Sequence, residues 1–515
     1  MIISPVLYQF LVCCFASVGS FTYGYDLGII AQVLASESFT EYMNNPNTTV
    51  TGLVVSLFTV GAFAGAFLAG FLEKLSRRLT ILVATLFFLF GGSLQCGAQN
   101  FRFLFAGRFF SGVGVGLYTM IIPLYQAELV HPKHRGRVTS LQQFFLGIGA
   151  LAAAWIGYGC YIGFSDNRQW RVPLGLQMVP ALLLGSLILL FPELPRWLLE
   201  FNQDENALKV LGQLYAHGDT QDPFVKEEFA KIKAAIEFDK MHGQTSWTSL
   251  FLIPSNLRRI VLCCAIQGSV QMTGVSAIQY YAPTIFAQIG LSAGKTLLYQ
   301  AINSIIALIA QALCIVTVDY TGRRWTLIGA NIGCGCMFIV SCILLALYPP
   351  YKGPQPRSSQ IGFIASTWIW NFIFSIYVGP LLWVIPSEVF NTATRSKGVS
   401  LSTMTCFAMN TMIGQVTPLA MDTIHYRFYI VFIICSFTNA LFFWCLLPET
   451  KGIPLESMNQ LFENSPWFVP GIKSKDYYSD IEIILDDSEF KPENDVQHLE
   501  KDNDVSINIS SQSNV

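Results

Sequence analysis

A helix must offer about 20 consecutive apolar residues to cross the hydrocarbon core of a bilayer. The chain contains twelve such runs. Six lie near residues 6–30, 50–72, 79–98, 103–127, 138–161 and 172–192. Six more lie near 258–287, 296–318, 325–347, 361–388, 398–421 and 427–447. Between the two sets, residues 193–257 alternate charged and apolar positions at helical spacing, with Glu227, Glu228, Lys231, Lys233 and Glu237 on the polar side. From 448 onward the chain turns polar and acidic, and Asp476 to Val515 carry too little apolar surface to fold. The pattern predicts an all-α integral membrane protein of twelve transmembrane helices. Residues 1–192 form one six-helix bundle, 193–257 a cytosolic helical linker domain, 258–447 a second bundle, and 448–515 a cytosolic, largely disordered tail.

The first run differs from a signal peptide. No basic residue precedes it, and it continues past Gly24 to Ile30 before a polar loop, so it is read as a retained helix.

Composition removes the soluble alternative. Apolar residues make up 52% of the 515 and charged residues 12%, whereas a soluble domain is about one quarter charged. So few charges cannot cover a globule of this size, and the remaining surface must face lipid. The net charge of −2 provides no basic face for nucleic acid. Most of the 13 cysteines, such as Cys13, Cys14, Cys263, Cys264, Cys334, Cys336 and Cys342, sit inside apolar runs and read as small apolar residues. No metal-ligand spacing, disulfide framework or nucleophile–base set is visible, which argues against an enzyme and against a metal or cofactor.

Lys and Arg set the orientation. With the N-terminus inside, the inner loops hold Lys74, Arg77 and Arg78, then Lys133, Arg135 and Arg137, then Arg323 and Arg324, then Arg395 and Lys397. The opposite loops hold fewer, and the stretch Ser36 to Val50 has none. Both termini are therefore expected in the cytosol. The outer loop carries Asn47-Thr48-Thr49, a glycosylation acceptor sequence.

The two sets of runs repeat one another. Arg77 is answered by Arg323, an offset of 323 − 77 = 246; Glu128 by Glu388, 388 − 128 = 260; and Pro192 by Pro448, 448 − 192 = 256. Two related six-helix halves that hold a solute between them at the midplane make an alternating-access architecture.

Several of these repeated loops carry recognisable motifs: Gly107-Arg108-Phe109, Glu128 with Arg135-Gly136-Arg137, Pro192-Glu-Leu-Pro-Arg-Trp197, Asp319-Tyr-Thr-Gly-Arg-Arg324 and Pro448-Glu-Thr-Lys-Gly452. Together they resemble the sugar porter family of the major facilitator superfamily, from about Tyr8 to Glu456. Trp170 to Gln177 and Tyr280 to Ile285 are similar to fungal members. The resemblance implies a monomeric multi-pass carrier of a sugar or polyol in the plasma membrane. The charges at the inner helix ends (Arg77, Arg78, Glu128, Arg135, Glu193, Arg196, Arg323, Arg324, Glu388, Arg395 and Glu449) are expected to form gating ion pairs that latch the bundles and break as the cavity changes face. Two local departures exist: the first copy reads Glu73-Lys-Leu-Ser-Arg-Arg78, and Tyr320 stands where a basic residue is usual.

Asp26 is the most informative single residue. It lies in the apolar stretch Phe21 to Gly28, where an ionisable group is costly and usually functional. Arg108 is the only basic residue in the fourth run and its natural partner. Burial disfavours a charged carboxylate and a neighbouring arginine favours it, so a carboxylate held between those pressures can take up and release a proton. Proton symporters of the family resemble this chain in carrying Asp here. The alternatives are a facilitative carrier, with a static Asp26–Arg108 pair, and a sensor that binds sugar without transport.

Sugar recognition requires amides and hydroxyls that both donate and accept, with aromatic faces against C–H surfaces. The resemblance assigns that role to Gln143, Gln271, Tyr280, Tyr281, Trp383 and Asn410, with Gln142 and Asn303 as polar neighbours. The family's Gln-Gln-x-x-Gly-x-Asn reads Val270-Gln271-Met-Thr-Gly274-Val-Ser276 here, and Phe407 stands where Trp is common. Two lost amides leave hydroxyls of a hexose unmatched. The expected cargo is therefore a pentose, polyol, disaccharide or other sugar-like acid rather than glucose.

Overall fold

The computed structural model describes residues 4–72, 75–130, 135–241, 247–349, 355–390, 394–451 and 458–470. The first bundle is built from Pro5–Leu34, Thr48–Phe71, Arg77–Cys96, Phe101–Leu129, Arg135–Gly163 and Arg168–Leu190. The second is built from Pro254–Ala287, Ala293–Thr321, Arg324–Leu347, Arg357–Val389, Arg395–Thr423 and His425–Leu446. These are the first to twelfth spanning helices below. Eleven are apolar enough to be recognised as spans by length and composition. The eleventh, Arg395–Thr423, is rich in Ser and Thr. Its polar groups are tolerable because they bond to neighbouring helices or to its own carbonyls: the Ser400 hydroxyl donates to the Ala66 carbonyl (2.7 Å) and the Thr417 hydroxyl to that of Ile413 (2.7 Å).

Small residues let the helices of a half close up. Gly61 and Gly65 of the second helix face Gly112 and Gly116 of the fourth at four-residue spacing, the arrangement that lets membrane helices meet backbone to backbone. A Cβ added to Gly61 would sit 2.1 Å from the Phe109 carbonyl oxygen, and one added to Gly112 2.1 Å from that of Phe58.

Two spanning helices are interrupted near the midplane. The seventh divides into Pro254–Gln271 and Val275–Gln288 around Gly274, whose φ of +83° only glycine adopts cheaply. The tenth runs Arg357–Ile373, widens to a π turn over Phe374–Val378, and resumes as Gly379–Val389. Such π turns gather at functional sites.

The segment between the halves forms the helices Pro195–Glu200, Asp204–Tyr215, Pro223–Met241 and Trp247–Leu252. Leu198, Leu199, Ala207 and Ile236 give it a small apolar core of its own. Trp247 stacks on Phe71 at the end of the second helix (5.4 Å), and Gln9 of the first helix donates to the Leu214 carbonyl (2.8 Å). After the twelfth helix, Met458–Asn464 returns to the start of the seventh. There Arg258 donates to the Ser465 and Pro466 carbonyls (2.6 and 2.7 Å) and Arg259 to that of Met458 (3.2 Å). The sequence places a disordered tail at Asp476 to Val515, beyond the described residues.

Candidate functional site: a buried ion pair among amides and aromatic rings

Asp26, in the first helix, and Arg108, in the fourth, are both fully buried and form an ion pair through Asp26 Oδ1 and Arg108 Nη1. Burying a charge in hydrocarbon is tolerable only when it is paired and hydrogen-bonded. Two further contacts hold the guanidinium. Its Nε donates to the Val54 carbonyl of the second helix (3.0 Å), and its plane lies over the Phe58 ring at 4.3 Å. Among the described residues, Asp26 Oδ2 and Arg108 Nη2 have no hydrogen-bond partner. One carboxylate oxygen is thus committed to the arginine, and the other accepts no hydrogen bond from the described residues.

Most of the polar residues expected from the sequence are buried on the fifth, seventh, tenth and eleventh helices, where they bond across from helix to helix. Tyr280 and Tyr281 lie in the second segment of the seventh helix, both buried, with ring centroids 6.4 Å apart. The Tyr281 hydroxyl donates to the Gly414 carbonyl of the eleventh helix (2.8 Å). Gln143 of the fifth helix accepts from Trp383 Nε1 of the tenth at 3.0 Å, so this pair bridges the halves. Gln271 ends the first segment of the seventh helix, and the break at Gly274 folds Ser276 back so that its hydroxyl donates to Gln271 Oε1 (2.5 Å). Gln271 Nε2 donates to Cys406 Sγ of the eleventh helix (3.1 Å). Asn410, on the same helix as Cys406, is buried one turn along from it.

Asn303 stands apart from this group. Its side-chain carbonyl accepts from Asn371 of the tenth helix (2.9 Å), tying the eighth helix to the tenth inside the second half. The anchors Val54 and Phe58, and Cys406 beside Gln271, carry no signal in the sequence. The first acts through a backbone carbonyl, and the others look like ordinary apolar positions.

The inner-loop charges form one brace built twice. Arg77 of the third helix pairs with Glu128 of the fourth (3.7 Å), and Arg323 at the start of the ninth pairs with Glu388 of the tenth (2.9 Å). Arg78 pairs with Glu193 (3.0 Å) and donates to the Leu189 and Phe191 carbonyls at the end of the sixth helix. Arg324 donates likewise to the Trp444 carbonyl of the twelfth (2.5 Å), while Glu449 accepts from the Arg323 and Arg324 amides (2.8 and 3.1 Å). Arg196 pairs with Glu200 one turn along its own helix (3.4 Å). The sequence leads one to expect such charges to latch one bundle to the other. The pairs just described instead join helices of the same half, because each arginine at a helix start lies beside the end of a helix in its own bundle. Arg395 donates to the Phe390 carbonyl (3.3 Å), and the Arg135 side chain lies outside the described residues.

The sequence profile described as "Sugar (and other) transporter" matches residues 12–462. The chain belongs to that family. It is a membrane transporter of the sugar porter type within the major facilitator superfamily, working by alternating access, and not an enzyme. Among its relatives, a transporter of Aspergillus cristatus named MFS-type transporter criB is 33% identical over 453 residues, covering 87% of this chain and 92% of that one. The high-affinity glucose transporter of Kluyveromyces lactis is 27% identical, covering 94% and 90% of the two chains, and the quinate permease of Emericella nidulans is 30% identical, covering 89% and 90%. Among solved structures, the proton:xylose symporter XylE bound to 6-bromo-6-deoxy-D-glucose superposes with a TM-score of 0.77 at 24% identity, over 88% of this chain and 99% of that one. A partially occluded inward-open form of the xylose transporter from E. coli gives 0.72 at 24% identity, over 87% and 99%. These likenesses establish the twelve-helix fold.

Proposed function

We propose that this protein is a proton-coupled symporter of a sugar-like solute, working as a monomer in the plasma membrane with both termini in the cytosol. The observation that carries the reading is the fully buried Asp26–Arg108 pair. An ionisable pair in the membrane interior is costly unless it is used. Asp26 loads the proton when its side is open. Neutralising it loosens Arg108, and the rearranged first and fourth helices pass that change to the bundle interface. Gln143, Gln271, Tyr280, Tyr281, Trp383 and Asn410 bind the solute, with Asn303 holding the helix behind them. Glu128, Glu193, Glu388 and Glu449 with their arginines keep each half rigid as it rocks, and Arg135, Arg196 and Arg395 complete that charge belt. Relatives named for glucose, quinate and xylose agree with a polyhydroxylated cargo. Gln271 is engaged at both ends by Ser276 and Cys406, which supports a pentose, polyol, disaccharide or sugar-like acid over glucose.

The test is an uptake panel of hexoses, pentoses, polyols, disaccharides and quinate, in cells stripped of their own carriers, at acidic and neutral outside pH. The expected result is saturable uptake that quickens as the outside is acidified, with Asp26→Asn abolishing uphill accumulation. If Asp26→Asn leaves accumulation and its pH dependence intact, the chain is a facilitator. High-affinity glucose uptake would contradict the substrate reading.

A further inference from the structure

On the face away from the basic loops, a cavity of about 180 Å³ lies between the halves. The first half contributes Leu34, Thr40, Thr48 and Thr51 to its wall, and the second Tyr281, Thr284, Thr417 and Asp422. At ~30 Å³ per water, it holds about six waters' worth of space, the scale of one small sugar. We propose that this cavity is an outer binding site for the transported solute, occupied before the solute reaches the central site. The proposal rests on the sugar reading above and extends it to a second place on the path.

The hydrogen-bond inventory of the wall selects the ligand. The Thr40 hydroxyl donates to the Ser36 carbonyl (2.9 Å), Thr51 to Asn47 (3.1 Å), Thr417 to Ile413 (2.7 Å) and Tyr281 to Gly414 (2.8 Å). Each has spent its proton and keeps only lone pairs for a ligand. The Asp422 carboxylate adds an acceptor that cannot donate. Among the described residues no lysine, arginine or histidine lines the cavity, so none of them draws an anion there. Leu34, Ile285 and Met421 supply apolar surface between the acceptors. A wall rich in acceptors, with the Thr48 and Thr284 hydroxyls able to donate or accept, and set among apolar patches, suits a neutral molecule that exchanges several hydrogen bonds and carries C–H faces, which describes a polyol or a sugar. Tyr281 belongs both to this wall and to the central residues proposed above to bind the solute, so the solute passes from one site to the other by moving past one ring. Because both halves line the cavity, closing the outer face must empty or collapse it. Occupancy therefore affects influx and leaves efflux, which begins on the other face, unchanged.

The test measures influx and efflux kinetics of D-xylose, D-glucose and D-mannitol in carrier-null cells, each variant normalised to the amount of protein at the cell surface. Asp422→Asn, with Thr48→Val as a second and milder variant, is expected to raise the influx KM of the transported probe. For Asp422→Asn the rise is roughly tenfold, the worth of one hydrogen bond to a charged group. Influx kcat rises in proportion, because weakening the outer bound state leaves influx kcat/KM, which the transport equilibrium ties to efflux, unchanged; efflux KM stays at its wild-type value. An unchanged influx KM in both variants overturns the proposal, as does an equal change in influx and efflux, which would mark a general structural effect. A wild-type chain that moves nothing in the panel, quinate included, overturns the proposed function and the outer site with it, whereas one that moves quinate alone overturns the outer site, whose wall suits a neutral molecule.

Discussion

At the scale of single residues, the chemistry of this transporter depends on how few groups are left uncommitted. Gln271 illustrates it. Ser276 stands where the family carries an asparagine, and the sequence suggests a lost solute contact. The structure adds a second role, because the Ser276 hydroxyl holds the Gln271 carbonyl while Cys406 receives its amide. Replacing Ser276 with Ala frees that carbonyl and is expected to raise the KM for the preferred solute several-fold, by the ~0.5–1.5 kcal/mol of one neutral hydrogen bond. Removing the whole amide with Gln271→Ala costs more, about 1–3 kcal/mol where a buried partner is left unsatisfied. Uptake kinetics of the two variants check both values; equal effects would mean that Ser276 acts only through Gln271.

Between elements, close approach decides which helices pair. The second and fourth helices touch through Gly61, Gly65, Gly112 and Gly116, where a Cβ would fall within 2.2 Å of a facing carbonyl oxygen. Gly112→Leu cannot be accommodated by a side-chain shift, since the obstacle is backbone. The Arg108 anchor, one turn away on the same helix, is displaced with it. Overpacking a core costs about 1–3 kcal/mol where side chains can yield, and more is expected here. The measurement is the yield of monodisperse protein in detergent, with Gly159→Ala, whose Cβ would meet nothing within 4 Å, and Gly112→Ala as the matched pair. The strap behind the twelfth helix is a second case. Arg258 is buried and donates to two carbonyls past Asn464 while lying near the Phe462 and Trp467 rings (5.5 Å each). Arg258→Ala is expected to expose residues 458–470 to protease without stopping substrate binding, and limited proteolysis reads this directly.

For the whole molecule, the two halves are joined by more than charge, since the pairs Arg77–Glu128, Arg78–Glu193 and Arg323–Glu388 each lie within one half. A polar seam between the second and eleventh helices joins them. The Ser56 hydroxyl donates to Gln415 (2.9 Å), Thr59 and Thr411 share a hydrogen bond (2.6 Å), and Ser400 donates to the Ala66 carbonyl (2.7 Å). Hydrogen bonds between membrane helices average ~0.6 kcal/mol, weak enough to break and remake in a transport cycle, where a buried ion pair would resist. Ser400→Ala, near the basic face, is expected to shift the balance between the two openings by about threefold. Hydrogen–deuterium exchange along 395–423 would detect it as faster exchange at the inner end.

Much of this was legible in the sequence, because lipid imposes simple rules. Every spanning segment must satisfy its own backbone, so the twelve apolar runs coincide with the twelve spanning helices, the eleventh included despite its hydroxyls. An isolated carboxylate and an isolated arginine inside such runs could hardly avoid one another, and Asp26 and Arg108 do meet. Contacts made through backbone atoms and through residues of no special type were invisible. Nothing in the pattern marks the Val54 carbonyl, the Phe58 ring, Cys406 or the Asn303–Asn371 bond. The destination of the repeated loop charges was also hidden. Their types and spacing show that Arg77, Glu128, Arg323 and Glu388 belong to one repeated motif, and only the packing of helix ends decides that each pair closes within its own half. The chain's linear chemistry thus determined the membrane, the number of helices and the presence of a buried ion pair. The partners of each polar group, and the cavity between the halves, arise where distant segments meet, which depends on the tertiary fold.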